Sequence, residues 1–206
     1  MIVAGTVAQA VAWRRVARGR GNVWHVMPAV LAAMAIAAVA VHPPVAAAKV
    51  GAARALVLGV VSGLVLYVAT RVFVRFAARW QPFRRSVLSS YAEAATVPLA
   101  TALALSLFVT VPSEELFWRG LFQGHLREVM GAAAGAAFVT WLVYVGANLT
   151  SGSLPIVAGA LVGGALWTGL AWWSGGVLAG LASHILWTGL MLALPPGAGR
   201  GAAATT

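Results

Sequence analysis

Val111-Pro112-Ser113-Glu114-Glu115-Leu116-Phe117-Trp118-Arg119-Gly120-Leu121-Phe122 decides how the rest of this chain is read. The chain has four acidic residues, Glu93, Glu114, Glu115 and Glu128, and two of them stand side by side here. Apolar runs flank the stretch on both sides. A charge inside a membrane segment costs at least ~2.5 kcal/mol, so such residues face a cavity or a partner and do something there. Pro112 and Ser113 predict a helix start, with Ser113 as N-cap and the glutamates in the first turn, where the macrodipole favours them. Glu115 and Arg119 are four apart and so meet on one helix face. Glu114 lies about 100° round the helix from Glu115. The arginine can therefore hold Glu115 while Glu114 points elsewhere, free to take a proton.

Composition supplies the setting. Of 206 residues, 61% are hydrophobic and only 9% are charged, against about 25% charged in a soluble domain. The expected fold class is an all-α, polytopic transmembrane bundle of about seven helices, within a range of six to eight. The absence of cysteine excludes disulfides and thiolate-held metals. The net charge of +10 raises nucleic-acid binding, but arginines in cytoplasmic loops against anionic lipid explain it better, and no nucleic-acid partner is expected.

Outward from the glutamates, the chain divides into hydrophobic spans. Residues 1–23, with Arg14, Arg15, Arg18 and Arg20, form a basic interfacial segment, and a single transmembrane domain is expected over 24–196. The first span covers roughly Val23–Val41. Its basic lead and Ala38-Val39-Ala40 resemble a signal peptide, but the apolar run is long for one, and an uncleaved first helix is preferred. His42-Pro43-Pro44 ends it. A second span, about Ala53–Val72, leads into Arg71, Arg75, Arg79, Arg84 and Arg85, an interfacial cluster suited to anionic headgroups. An apolar run over about 94–111 leads into the glutamate helix, which continues to about Met130. Hydrophobic segments follow at Ala132–Leu149, Leu154–Trp173 and Gly176–Leu194, and residues 197–206 form a flexible tail. The two arginine-rich stretches place the N-terminus in the cytoplasm. Gly159, Ala160, Gly163, Gly164 and Ala165 allow close helix contact.

Few other polar residues lie at depth. Asn148 ends the fifth hydrophobic segment, where it either caps the helix or faces the site. His184 and Thr188 share a face of the last helix. A lone histidine in an apolar helix is often a packing residue, but two glutamates and an arginine in the same bundle favour a role. His125 stands eleven residues beyond Glu114, ~16 Å along the axis at 1.5 Å per residue, out of reach. His25 and His42 flank the first span as interfacial residues. The set Glu114, Glu115, Asn148, His184 and Thr188 suits a water activated by a carboxylate, with neutral donors for an oxyanion. No H-E-x-x-H, G-x-S-x-G or glycine-rich phosphate loop is present.

Glu114-Glu115-Leu-Phe-Trp-Arg119-Gly120 resembles the E-E-x-x-x-R motif of the CPBP (Abi) family. Those intramembrane proteases include CAAX prenyl endopeptidases and bacterial bacteriocin-processing and immunity proteins. The resemblance extends over about 99–196. Ser183-His184-Ile-Leu-Trp-Thr188 is similar to the family's last motif, H-x-x-x-N or H-x-x-x-D, and Gly163–Trp173 to the small-residue helix before it. Two positions depart from the pattern: the middle F-x-x-x-H is Tyr144-Val-Gly-Ala-Asn148 here, and the last motif ends in Thr188. The resemblance implies a bacterial cytoplasmic-membrane endopeptidase whose substrate is a hydrophobic or lipidated peptide. By the same resemblance Glu114 and Glu115 hold the attacking water, Arg119 orients Glu115, and His184 with Thr188 supports the oxyanion. Asn148 can bond a water but cannot take its proton. The resemblance leaves room for a divalent metal such as zinc and implies no other cofactor. A non-catalytic relative, acting as a membrane scaffold or an immunity protein, is the alternative. A carrier or channel is disfavoured by the lack of an internal repeat.

Overall fold

The computed structural model describes residues 1–196; the tail expected at 197–206 lies outside the described residues. Eight helices and no strands make up the described residues. They are α1 (Ile2–Ala17), α2 (Val23–Val41), α3 (Ala52–Ala77), α4 (Gln81–Ala94), α5 (Leu99–Met130), α6 (Ala133–Leu149), α7 (Leu154–Ser174) and α8 (Leu178–Ala193). Helices α2, α3, α5 and α7 are long and apolar enough to cross a bilayer, and α6 and α8 are shorter apolar helices. This is an integral membrane protein built as a polytopic helical bundle.

The glutamate stretch does not begin a helix. α5 runs unbroken through it for 32 residues, ~48 Å at 1.5 Å per residue, which exceeds the ~30 Å hydrocarbon core. Ser113 makes no capping hydrogen bond, so the expected N-cap at Ser113 is corrected, and with it the separate third and fourth segments. The reason lies one turn earlier. Proline has no N–H to donate and its ring crowds the carbonyl four residues back. Residues Ser106–Thr110 form a π-helical turn just before Pro112, and such local adjustments let a membrane helix absorb a proline. A second π-helical stretch, Leu116–Phe122, follows the glutamates. The pair therefore sits at mid-length of the helix, flanked by widened turns.

In the N-terminal segment, α1 packs against the bundle along one face, with Gly5, Gln9 and Ala12 buried and Val3, Val7 and Val11 exposed. A Cβ on Gly5 would fall 2.4 Å from the Phe117 ring, so the missing side chain is what lets α1 approach α5. Going from Gly5 to Gln9, α1 passes from Phe117 to Glu114, so it runs antiparallel to α5. Arg14, Arg15, Arg18 and Arg20 are all exposed at the C-terminal end of α1.

The remaining helices close the bundle. α3 packs most extensively on α8, its Gly59 and Gly63 lying against Ala179 and Ser183. α3 turns Val57, Val61, Leu64, Val65, Val68 and Val72 outward, as a lipid-facing surface requires. α4 is amphipathic: Phe83 and Val87 are buried against Val74, while Arg84 and Arg85 are exposed. Ser86 accepts from Leu154 N at 3.1 Å, which ties α4 to the start of α7. At the opposite end, Val177 N and Leu178 N donate to Val45 O and Ala46 O, tying the α2–α3 loop to the α7–α8 turn.

Candidate active site

Three helices bring the expected residues together. Glu114 and Glu115 come from α5, Asn148 from the end of α6, and His184 and Thr188 from α8. Glu115 is fully buried and held from two directions. Arg119 Nη1 donates to its Oε1 at 3.1 Å, and His184 Nδ1 lies 2.9 Å from the same oxygen. Arg119 is fixed in turn by the Gly164 carbonyl at 3.3 Å and by the face of Tyr144 at 4.6 Å. His184 stacks on Trp167, with ring centroids 3.4 Å apart and planes within 14°. A carboxylate paired with a guanidinium only accepts, so Nδ1 of His184 carries a proton toward Glu115.

Glu114 has no cationic partner in hydrogen-bond contact. Its Oε1 accepts from Gln9 Nε2 at 3.2 Å and its Oε2 from the Tyr144 hydroxyl at 3.3 Å. It lines a cavity of about 510 Å³, whose wall also includes Tyr144, Asn148, His184 and Thr188. The rest of the wall is mostly apolar, with Leu31, Leu66, Phe73 and Trp187 among it, and also includes Thr70, Ser90, Glu93, Ser106 and Thr110. Glu115 is braced, and Glu114 faces the cavity.

Asn148 is buried and faces the site, but its amide is largely committed. Trp13 Nε1 donates to its Oδ1 at 3.0 Å, and its Nδ2 donates to Tyr144 O at 2.9 Å. One N–H remains for a ligand. Thr188 is half-buried, one turn from His184 on the same wall.

Sequence reasoning missed Gln9, Trp13, Tyr144 and Trp118 as members of this centre. Gln9 was legible in one respect: it is a lone amide in the apolar run Val7-Ala8-Gln9-Ala10-Val11, spaced four from both Gly5 and Trp13. That pattern marks a docked helix face.

A catalytic zinc ion takes three protein ligands and keeps an open position. Among the described residues no group of three or more His, Asp or Glu side chains is placed to share a metal.

Residues 96–190 match the family model described as Type II CAAX prenyl endopeptidase Rce1-like. The matched segment covers α5, α6, α7 and most of α8, and leaves α1 to α4 outside it. No curated protein and no solved structure matches the chain.

Proposed function

We infer, from residues 96–190 matching the Rce1-like CAAX prenyl endopeptidase family model and from motifs that resemble the wider CPBP (Abi) group, an intramembrane endopeptidase that hydrolyses a peptide bond with a glutamate-activated water. The observation that carries this reading is the contrast between the glutamates. Glu115 is locked by Arg119 and His184, while Glu114 meets only neutral donors and faces the cavity. A buried carboxylate without a cationic partner is costly, and a general base at a water site gives it a use.

In the proposed reaction a water hydrogen-bonds Glu114 and the free N–H of Asn148. Its oxygen attacks the scissile carbonyl as Glu114 takes the proton, and Glu114 then delivers that proton to the departing amine. His184 as imidazolium, paired through Nδ1 with Glu115, donates from Nε2 to the oxyanion, and the Thr188 hydroxyl adds a second donor. Arg119 orients Glu115. The apolar cavity suits a hydrophobic or lipidated peptide. The loop at Arg18–Arg20 and the segment Arg71–Arg85 are assigned to the cytoplasmic side of a bacterial cytoplasmic membrane. The charge argument for the N-terminus thus attaches to the end of α1, not to Met1.

One observation favours a non-catalytic scaffold or immunity protein instead. Asn148 stands where the family has its middle histidine, and its oxygen is taken by Trp13. The test is cleavage of a broad hydrophobic peptide library by purified protein in detergent, wild type beside Glu114→Gln, with and without a chelator. Cleavage lost in Glu114→Gln supports the endopeptidase, and the chelator arm decides any metal requirement. No cleavage by wild type, beside an active family member with intact motifs, moves the reading to the binding protein.

A further inference from the structure

We propose that α1 completes the active centre, with Gln9 as a positioning residue for Glu114 and Trp118 as the group that sets the orientation of Gln9. This rests on the endopeptidase reading. Both contacts begin on a helix that lies outside the family-matched segment.

Gln9 is 0% exposed in an otherwise apolar stretch. A buried amide is costly unless each end is bonded, and here each end is. Trp118 Nε1 donates to Gln9 Oε1 at 2.8 Å, and Gln9 Nε2 donates to Glu114 Oε1 at 3.2 Å. An indole N–H can only donate. The Gln9 oxygen must therefore face Trp118, and the amide N–H₂ must face the carboxylate. The reversed amide would lose the indole bond and set oxygen against oxygen. Glu114 is thus gripped at both oxygens by neutral donors, Gln9 from α1 and Tyr144 from α6. Each carboxylate oxygen has about two lone-pair sites, so one on each remains for a water.

The grip requires α1 to stay in place, and several contacts hold it there. Gly5 lies against Phe117, with no room for a Cβ. Thr150 Oγ1 lies 3.0 Å from Ala10 O and shares its one proton between that carbonyl and Ala147 O at 2.6 Å. Trp13 donates to Asn148, and the same donor-only argument fixes that amide as it fixes Gln9. One face of α1 therefore orients two side chains of the site.

The test uses the full-length protein in detergent, with Gln9→Met as the main variant because methionine keeps the length of the side chain without its polar ends. The first readout needs no cleavage. The carboxyl stretch of Glu114 is isolated by infrared difference between ¹³C-glutamate-labelled wild type and Glu114→Gln, readable because the chain has only four acidic residues. The second readout is kcat and KM on a peptide found in the library screen. We expect the Glu114 band to move in Gln9→Met and kcat to fall roughly ten- to hundredfold with KM kept, the effect of losing an oriented bond to a charged group. Trp118→Phe should move the band less, and should cost nothing further in the Gln9→Met background. It also serves as the second variant if Gln9→Met does not fold. An unmoved band in both variants overturns the proposal. A moved band with kcat unchanged overturns the positioning role and leaves the endopeptidase standing. A moved band in a protein whose wild type cuts nothing removes the endopeptidase reading, and the catalytic meaning of the contact with it.

Discussion

His184 Nδ1 and Arg119 Nη1 converge on a single atom, Glu115 Oε1, at 2.9 and 3.1 Å. The pair Arg119–Glu115 has no side-chain exposure on either partner. Two charges removed from water repay their desolvation only when both are present, and removing one leaves the other uncompensated. Glu115 is therefore a structural brace as much as a participant in chemistry.

Glu115→Leu should accordingly destabilise the fold by about 3–5 kcal/mol, because it strands the Arg119 guanidinium among Tyr144, Trp167 and the Gly164 carbonyl. Adding Arg119→Met in the same chain should recover part of that loss. Thermal unfolding of the three proteins in one detergent checks this. A double variant less stable than Glu115→Leu would show that the arginine does not depend on Glu115.

Gly180→Ala makes a second test of the brace. A Cβ there would lie 2.9 Å from Glu115 Oε2 and 3.2 Å from Trp167 O. The carbonyl cannot yield, and the carboxylate is held by two partners, so α8 must shift. Overpacking of this kind costs about 1–3 kcal/mol. The His184 ring rides on the same helix one turn away, so cleavage should fall by about tenfold with it. The pairing of stability and kcat measurements is decisive: a variant as stable and as active as wild type would mean the close approach is not needed.

The centre was partly legible in the sequence because its chemistry is local to three motifs. Glu115 and Arg119 at i, i+4 had to meet, and they do. His184 could be assigned to the site because few other polar groups lie at depth. The continuity of α5 was hidden, since Pro112-Ser113 obeys the rule for a helix start and only the π turn at Ser106–Thr110 lets the helix pass through. The role of α1 was hidden for a different reason. Four arginines dominate its end and suggest a surface segment, whereas the burial of Gln9 depends on Phe117 and Trp118, over a hundred residues away. The hydrophobic spans themselves were plain from composition, because lipid requires apolar runs whatever the tertiary contacts.

The arginines at the α3–α4 corner predict a lipid preference. Arg71, Arg75, Arg79, Arg84 and Arg85 are all exposed, and a basic residue near an anionic surface contributes about 1 kcal/mol. In mixed bilayers the protein should enrich phosphatidylglycerol over phosphatidylcholine in its lipid shell. The enrichment should weaken with salt and fall in a variant with Arg79, Arg84 and Arg85 changed to Gln. Quenching of Trp80 by brominated lipids of each headgroup reads this out, as Trp80 is exposed in the same cluster. Equal quenching by both lipids at low salt would argue against the assignment.

The last prediction concerns Asn148, where the family resemblance and the geometry pull apart. Asn148→His alone restores the family residue type, and by the motif it should restore a base. The geometry says otherwise. Trp13 Nε1 donates to the side chain at position 148 from 3.0 Å, and a neutral imidazole has a single ring nitrogen able to accept. The indole would occupy that nitrogen and leave an N–H toward the rest of the site, so the new histidine could not take a proton from water. Cleavage by Asn148→His should therefore change by less than about threefold. Adding Trp13→Phe removes the competing donor and frees the lone pair, and the double variant should cleave at least ~10²-fold faster, the lower end of what a positioned base contributes. Initial rates for the four proteins of this cycle decide the matter. A single Asn148→His variant as fast as the double would show that Trp13 does not control the side chain at position 148.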